Sequence, residues 1–192
     1  MKVNISSQAQ YNAKKMTAEQ AAQLVRNDDF IVVPTGAGEP PMLLTALSEI
    51  RRSLKNVKVS SVLPMRKFAY IDPETYDNVR HVGYFLSGAN RAGAQAGWVD
   101  IFPNNFSEVP RKIERGNIGA DVVFALCSPM DAHGNFSISL GVDYTMAAIK
   151  KARVLVLEVN PHVPFAFGDC HVHISQITGL VEDDTPVLEV GL

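Results

Sequence analysis

The sequence predicts one α/β domain built on an open, mostly parallel sheet flanked by helices. Three observations lead there. Short continuous apolar runs, such as FIVV at 30–33 and VVFALC at 122–127, alternate with segments of helical periodicity. That is the pattern of strands buried on both faces and joined by crossover helices. The apolar runs also end in Gly, Ser, Pro or Asn, as strands do where they feed loops. Finally, 192 residues with 46% hydrophobic and 20% charged content suit a single globular domain.

Each element follows from local chemistry. Residues 16–26 read as a helix, with Thr17 as N-cap and Gln20 three residues on completing a capping box. Residues 30–33 read as a strand that breaks at PTGAG (34–38). Leu43, Leu44, Leu47 and Ile50 then recur at helical spacing behind Pro40 and Pro41, and proline suits a first helical turn. Strands are expected at 57–63, 82–86, 99–102, 122–127 and 154–159, and helices at 107–115 and 144–152. The alternation at 135–140 suits a hairpin arm, and 172–177 a last, half-buried strand. Trp98, Phe102, Phe106 and Tyr144 are expected in the core.

Composition excludes several classes of function. Eighteen Lys plus Arg against 20 Asp plus Glu leave a net charge of −2, with no basic field to hold nucleic acid. No apolar run approaches the ~20 residues of a membrane span, and the first 15 residues carry no secretory pattern. Two cysteines, Cys127 and Cys170, make no disulfide scaffold. The expected setting is reducing and cytoplasmic.

In open α/β sheets the ligand crevice lies at the C-terminal strand ends, and candidate chemistry is sought there. The loop TGAGEPP (35–41) lets backbone approach a ligand ahead of a helix N-terminus. It is neither a Walker loop nor G-x-G-x-x-G, since Pro41 stands at the third glycine. Alone, it reads equally as a tight turn. Among nine glutamates only Glu39 is placed at the crevice. Arg66, Lys67 and Arg91 follow strand ends and could hold a carboxylate or phosphate, or be solvated charges. His171 and His173 share one strand face but lack a third metal ligand, so hydrogen-bonding roles are expected. Cys127 is expected as a small buried hydrophobe.

The stretches SPMDAHGNFSISLGVDYT (128–145) and EVNPHVPFAFGDCHVHIS (158–175) closely resemble the N-terminal domain of the acetyl-CoA hydrolase/transferase family. The likeness is strongest to 4-hydroxybutyrate CoA-transferases and related acyl-CoA:carboxylate CoA-transferases. The 35–41 loop, FLSGANRAGAQAGWVDIFP (85–103) and FSEVP (106–110) match further family signatures in the same order. The resemblance implies a cytoplasmic enzyme of two α/β domains, homo-oligomeric at full length. It moves coenzyme A between an acyl-CoA and a short carboxylate through a glutamyl-CoA thioester. A coenzyme A thioester is then substrate, with no tightly bound cofactor, no metal, no membrane and no nucleic acid.

The family's catalytic glutamate lies in a G-x-H-[ST]-E stretch of the second domain, and these 192 residues contain no such stretch. Residues 1–192 are therefore expected to be the N-terminal domain, ending at Val190-Gly191-Leu192 near the link to the next. They carry no catalytic residue of their own. The substrate-pocket wall implied here comprises Gly36, Gly38, Glu39, Met65, Ser87, Gly88, Asn90 and Ser128. Two other readings stand beside it: one subunit of a two-subunit CoA-transferase, and a non-catalytic ligand-binding or interaction module.

Overall fold

The computed structural model describes residues 5–189; the expected chain end at Val190-Gly191-Leu192 lies outside them. Among the described residues one parallel sheet runs β4-β3-β2-β1-β5-β7-β9. Its strands are β1 (Phe30–Val32), β2 (Val57–Ser61), β3 (Val79–Gly83), β4 (Asp100–Ile101), β5 (Val122–Cys127), β7 (Val154–Val159) and β9 (Gly179–Glu182). A small antiparallel pair joins β6 (Asn135–Ser137) to β8 (His171–His173). The helices are α1 (Ile5–Lys14), α2 (Ala18–Ala22), α3 (Pro41–Ile50), α4 (Arg91–Ala96), α5 (Val109–Glu114) and α6 (Thr145–Ile149).

The continuous apolar strands are buried on both faces, as expected of a sheet sandwiched between layers. Alternate residues of β1, β5 and β7 divide between two cores. Ile31, Val122, Phe124 and Val156 pack under α2 and α3 with Ala21, Leu43 and Leu47. Val32, Val123, Leu155 and Leu157 pack under α5, α6 and the small antiparallel pair with Ile113, Ala148 and Phe136. The capping box forms as read: Thr17 accepts from Gln20 N–H, and the Gln20 side chain accepts from Thr17 N–H.

Several elements differ from the reading of the sequence. Strand β2 stops at Ser61 because Val62 N–H leaves the ladder to donate to the Tyr144 hydroxyl. Strand β3 lies at Val79–Gly83, not at 82–86. Its first half carries Arg80 and His81, whose polarity hides it. Arg80 pairs with Asp77 and Asp100 at the sheet edge, while His81 is a buried neutral side chain. The chain turns out of the sheet after Gly83, leaving Phe85 63% exposed.

Helices α1 and α4 and strand β9 were not expected. The run at 172–177 is only partly strand: it becomes a 3₁₀ turn at Ile174–Gln176, and β9 instead forms the sheet edge. Tyr144 is core, but Phe102 and Phe106 are exposed at 37% and 55%, against the core placement. His171 and His173 do make hydrogen bonds. The His171 ring meets Ala166 O at 2.9 Å, and His173 caps the Ile174–Gln176 turn. Cys127 is fully buried and burial pushes its thiol well up, which keeps it a neutral hydrophobe. No helix among the described residues is long and apolar enough to cross a membrane.

Candidate functional site

The order in which strands are added reverses between β1 and β5, so the loops beyond those strands flank a topological switch point. The glycine loop follows β1, with Gly36 at φ +57°, a left-handed conformation that glycine adopts without strain. The crevice directly above is filled by the chain itself. A Cβ on Gly38 would stand 2.9 Å from both Gly141 Cα and Pro34 Cβ, and one on Gly141 2.3 Å from Pro34 Cβ. These contacts require the two glycines. Tyr144 closes the same space. Its hydroxyl donates to Val33 O at 2.6 Å and accepts from Val62 N–H at 3.1 Å, clamping the ends of β1 and β2. Tyr144→Phe leaves a buried carbonyl and amide unpaired. The expected loss is about 1–3 kcal/mol, read by denaturant unfolding; an unchanged midpoint would remove the clamp from the account.

The open space therefore lies one strand over. A cleft of about 330 Å³ sits at the ends of β2 and β3, lined by Pro64, Met65, Lys67, Ser87, Gly88 and other residues of the same two loops. Three of the expected wall residues, Met65, Ser87 and Gly88, come together here. The glycine loop forms the layer behind them. Gly36 N–H donates to Leu63 O, and Met65 Sδ lies 3.4 Å from a Cβ built on Gly36.

Glu39 stitches these loops together. It is 4% exposed, and its Oε2 accepts from Met65 N–H at 3.2 Å and Arg66 N–H at 3.3 Å. Burial raises its carboxyl to about 7, and the two amides and the Arg66 charge pull the other way.

Asn90 and Ser128 support the loops from inside. Asn90 Oδ1 accepts from Ser87 N–H at 2.8 Å, and its Nδ2 donates to Phe85 O and faces His81 Nε2. Since Asn90 Nδ2 donates, His81 Nε2 accepts and the ring proton sits on Nδ1, opposite the Tyr70 hydroxyl at 3.2 Å. Burial lowers His81 to about 4, so it stays neutral. The Ser128 hydroxyl donates to Pro129 O and accepts from Ser137 N–H, holding β5 to β6. Lys67 and Arg91 are exposed and Arg66 is half-buried.

Sequence reasoning missed Tyr70, His81 and Tyr144 as parts of this assembly. Each acts through contacts across the sheet or between distant loops. Among the described residues no cluster of three His, Cys, Asp or Glu could hold a metal ion. At the strand ends the Ser128 hydroxyl is buried and bonded, the Cys127 thiol is buried, and Ser61 Oγ is buried without a hydrogen-bond partner. The arrangement offers a shaped, partly apolar wall with cationic side chains at its rim.

A seven-stranded parallel sheet flanked by helices, with a cleft at the C-terminal strand ends, defines an α/β domain. The chain belongs to the acetyl-CoA hydrolase/transferase family, whose N-terminal domain matches residues 2–190. It is 38% identical over 190 residues to succinyl-CoA:cyclohexane-1-carboxylate CoA transferase of Geobacter metallireducens, covering 97% of this chain and 42% of that protein. It is 30% identical over 180 residues to 4-hydroxybutyrate coenzyme A transferase of Clostridium kluyveri, covering 94% and 42%. Among solved structures, RipA from Yersinia pestis superposes with a TM-score of 0.90 at 29% identity, covering 98% of this chain and 46% of RipA. The chain thus spans less than half the length of these relatives.

Proposed function

We propose that this chain is the N-terminal half of a CoA-transferase that moves coenzyme A between an acyl-CoA and a short-chain carboxylate of the 4-hydroxybutyrate, butyrate or acetate class. The observation that carries the reading is the β2–β3 cleft, where Met65, Ser87 and Gly88 meet in a space of about 330 Å³. Family membership supplies the chemistry. Residues 1–192 form one domain, and a second domain, or a partner subunit, faces this cleft with the glutamate. The exposed apolar side chains Met65, Phe85, Phe102, Phe106 and Val142 follow strand ends or the turn beside them, and such a rim suits burial against a second domain.

In the proposed reaction the partner domain's glutamate carboxylate attacks the thioester carbonyl. The C–S bond breaks, releasing CoA thiolate and leaving an acyl–glutamyl anhydride. Thiolate then attacks the glutamyl carbonyl, giving glutamyl-CoA and the free carboxylate. A second carboxylate runs the sequence in reverse. This chain's part is binding and shape. Met65, Ser87 and Gly88 line the acyl pocket, Lys67 attracts the carboxylate, and Gly36, Gly38 and Glu39 hold the backbone. Asn90 and Ser128 fix the loops from behind. Coenzyme A is substrate, no cofactor is held tightly, and the full-length enzyme is a cytoplasmic homo-oligomer.

Joined to a domain bearing G-x-H-[ST]-E, in cis or in trans, the chain is expected to support exchange of labelled acetate or butyrate into acetyl-CoA. Alone it shows no exchange. A folded, associated pair without exchange would instead favour a non-catalytic binding module.

A further inference from the structure

Glu158 is the penultimate residue of β7 and is 0% exposed. Its carboxyl points under the N-terminus of α3, whose first amides have no partner within the helix. Pro40, at the N-cap, makes no side-chain cap. Glu158 takes that role from 115 residues away: its Oε2 accepts from Leu43 N–H at 2.9 Å, and Met42 N–H also bonds the carboxyl.

The other oxygen, Oε1, is buried and meets no donor. Among the described residues no Lys or Arg pairs with Glu158. The titratable groups facing it are the Asp183 carboxyl, just past β9, and the neutral Cys127 thiol on β5. From α3 only backbone amides reach it. Asp183 is itself 6% exposed and accepts from the Thr185 amide and hydroxyl. Two ionised carboxyls in this setting would repel in a low-dielectric interior with no cation to offset them. A proton on Oε1 removes the repulsion and supplies the missing donor, with Asp183 as its acceptor.

We infer that Glu158 is held as the neutral acid, and that its proton clasps the N-terminus of α3, and the glycine loop before it, to the Asp183 turn. Burial, reinforced by Asp183 and opposed by the Leu43 and Met42 amides, raises Glu158 to about 8. The folded state binds this proton more tightly than the unfolded one. Its stabilisation is therefore complete below 4.5, falls as pH rises toward 8, and is constant beyond. Met42 and Asp183 both line the two grooves on either side, of about 390 and 430 Å³, so loss of the proton loosens the wall between them. The proton itself is independent of the function proposed above; only its effect on the glycine-loop wall rests on that reading.

Carboxyl ¹³C NMR of the chain labelled at glutamate tests this. The signal lost in E158Q is expected to titrate near 8, with Glu39 told apart by E39Q. E158Q, whose amide N–H replaces the acid proton, keeps the wild-type urea midpoint at pH 4.5, and in an E39Q background, where Glu39 no longer titrates, it loses the decline toward pH 8. E158A lowers the midpoint at both. A Glu158 signal titrating below 6, or E158Q as destabilised as E158A at pH 4.5, would overturn the inference.

Discussion

Replacing Phe124 with alanine is expected to lower the unfolding free energy by about 3–5 kcal/mol, the range for emptying a large aromatic from a core. Phe124 is 0% exposed and sits mid-strand in β5, which pairs with β1 on one side and β7 on the other. Its ring belongs to the core beneath α2 and α3. Both strand neighbours are anchored in the ladder, so the site can collapse only in part and a cavity remains. Chemical denaturation should show a lower midpoint with an unchanged slope. A loss under about 1 kcal/mol would mean that the two helices close over the gap, and that this core is softer than its packing indicates.

The largest expected response to pH in the cleft comes from Glu39. Its folded value of about 7 lies above the ordinary 4.5, chiefly because it is buried. Between these values the folded protein holds a proton that the unfolded chain has released. Stability from this group is therefore full below 4.5 and lost as pH rises through 7. At 1.36 kcal/mol per pH unit the interval amounts to about 3 kcal/mol. Glu39→Gln removes the titration while keeping a carbonyl oxygen to accept from Met65 and Arg66 N–H. The stability of the wild type relative to E39Q should thus rise by about that amount on going from pH 7.5 to pH 4. Glu158 titrates in both proteins and cancels. A difference that stays flat across that range would show that folding leaves Glu39 at its ordinary value near 4.5.

The strands that became legible early are those whose two faces are both covered. The VVFALC and VLVLEV runs need no context to be read, because every side chain except that of Glu158 meets an apolar layer. Strand β3 resisted for the opposite reason: Arg80 and His81 are polar, and only the ion pairs to Asp77 and Asp100 and the contacts to Tyr70 and Asn90 make them acceptable in a sheet. Strand β9 is short, ends in Glu182 with Asp183 and Asp184 just beyond it, and gains its place by pairing with β7. Within the site, the strand-end rule located the loops that carry Met65, Ser87 and Gly88. It could not say that Asn90 and Ser128 turn inward, or that Tyr144 fills the switch-point crevice.

By itself, then, the sequence determined the α/β class, the capping of α2, the glycine loop and the family, since each rests on neighbours within a few residues or on the order of motifs. Only the tertiary structure decided where the cleft opens and which acids are buried. Tyr144 reaches Val33 across 111 residues, Glu158 reaches Leu43 across 115 and Glu39 reaches Met65 across 26. The protonation of a carboxyl, and the free space beside a loop, depend on what such distant partners exclude: water in the first case, and other side chains in the second.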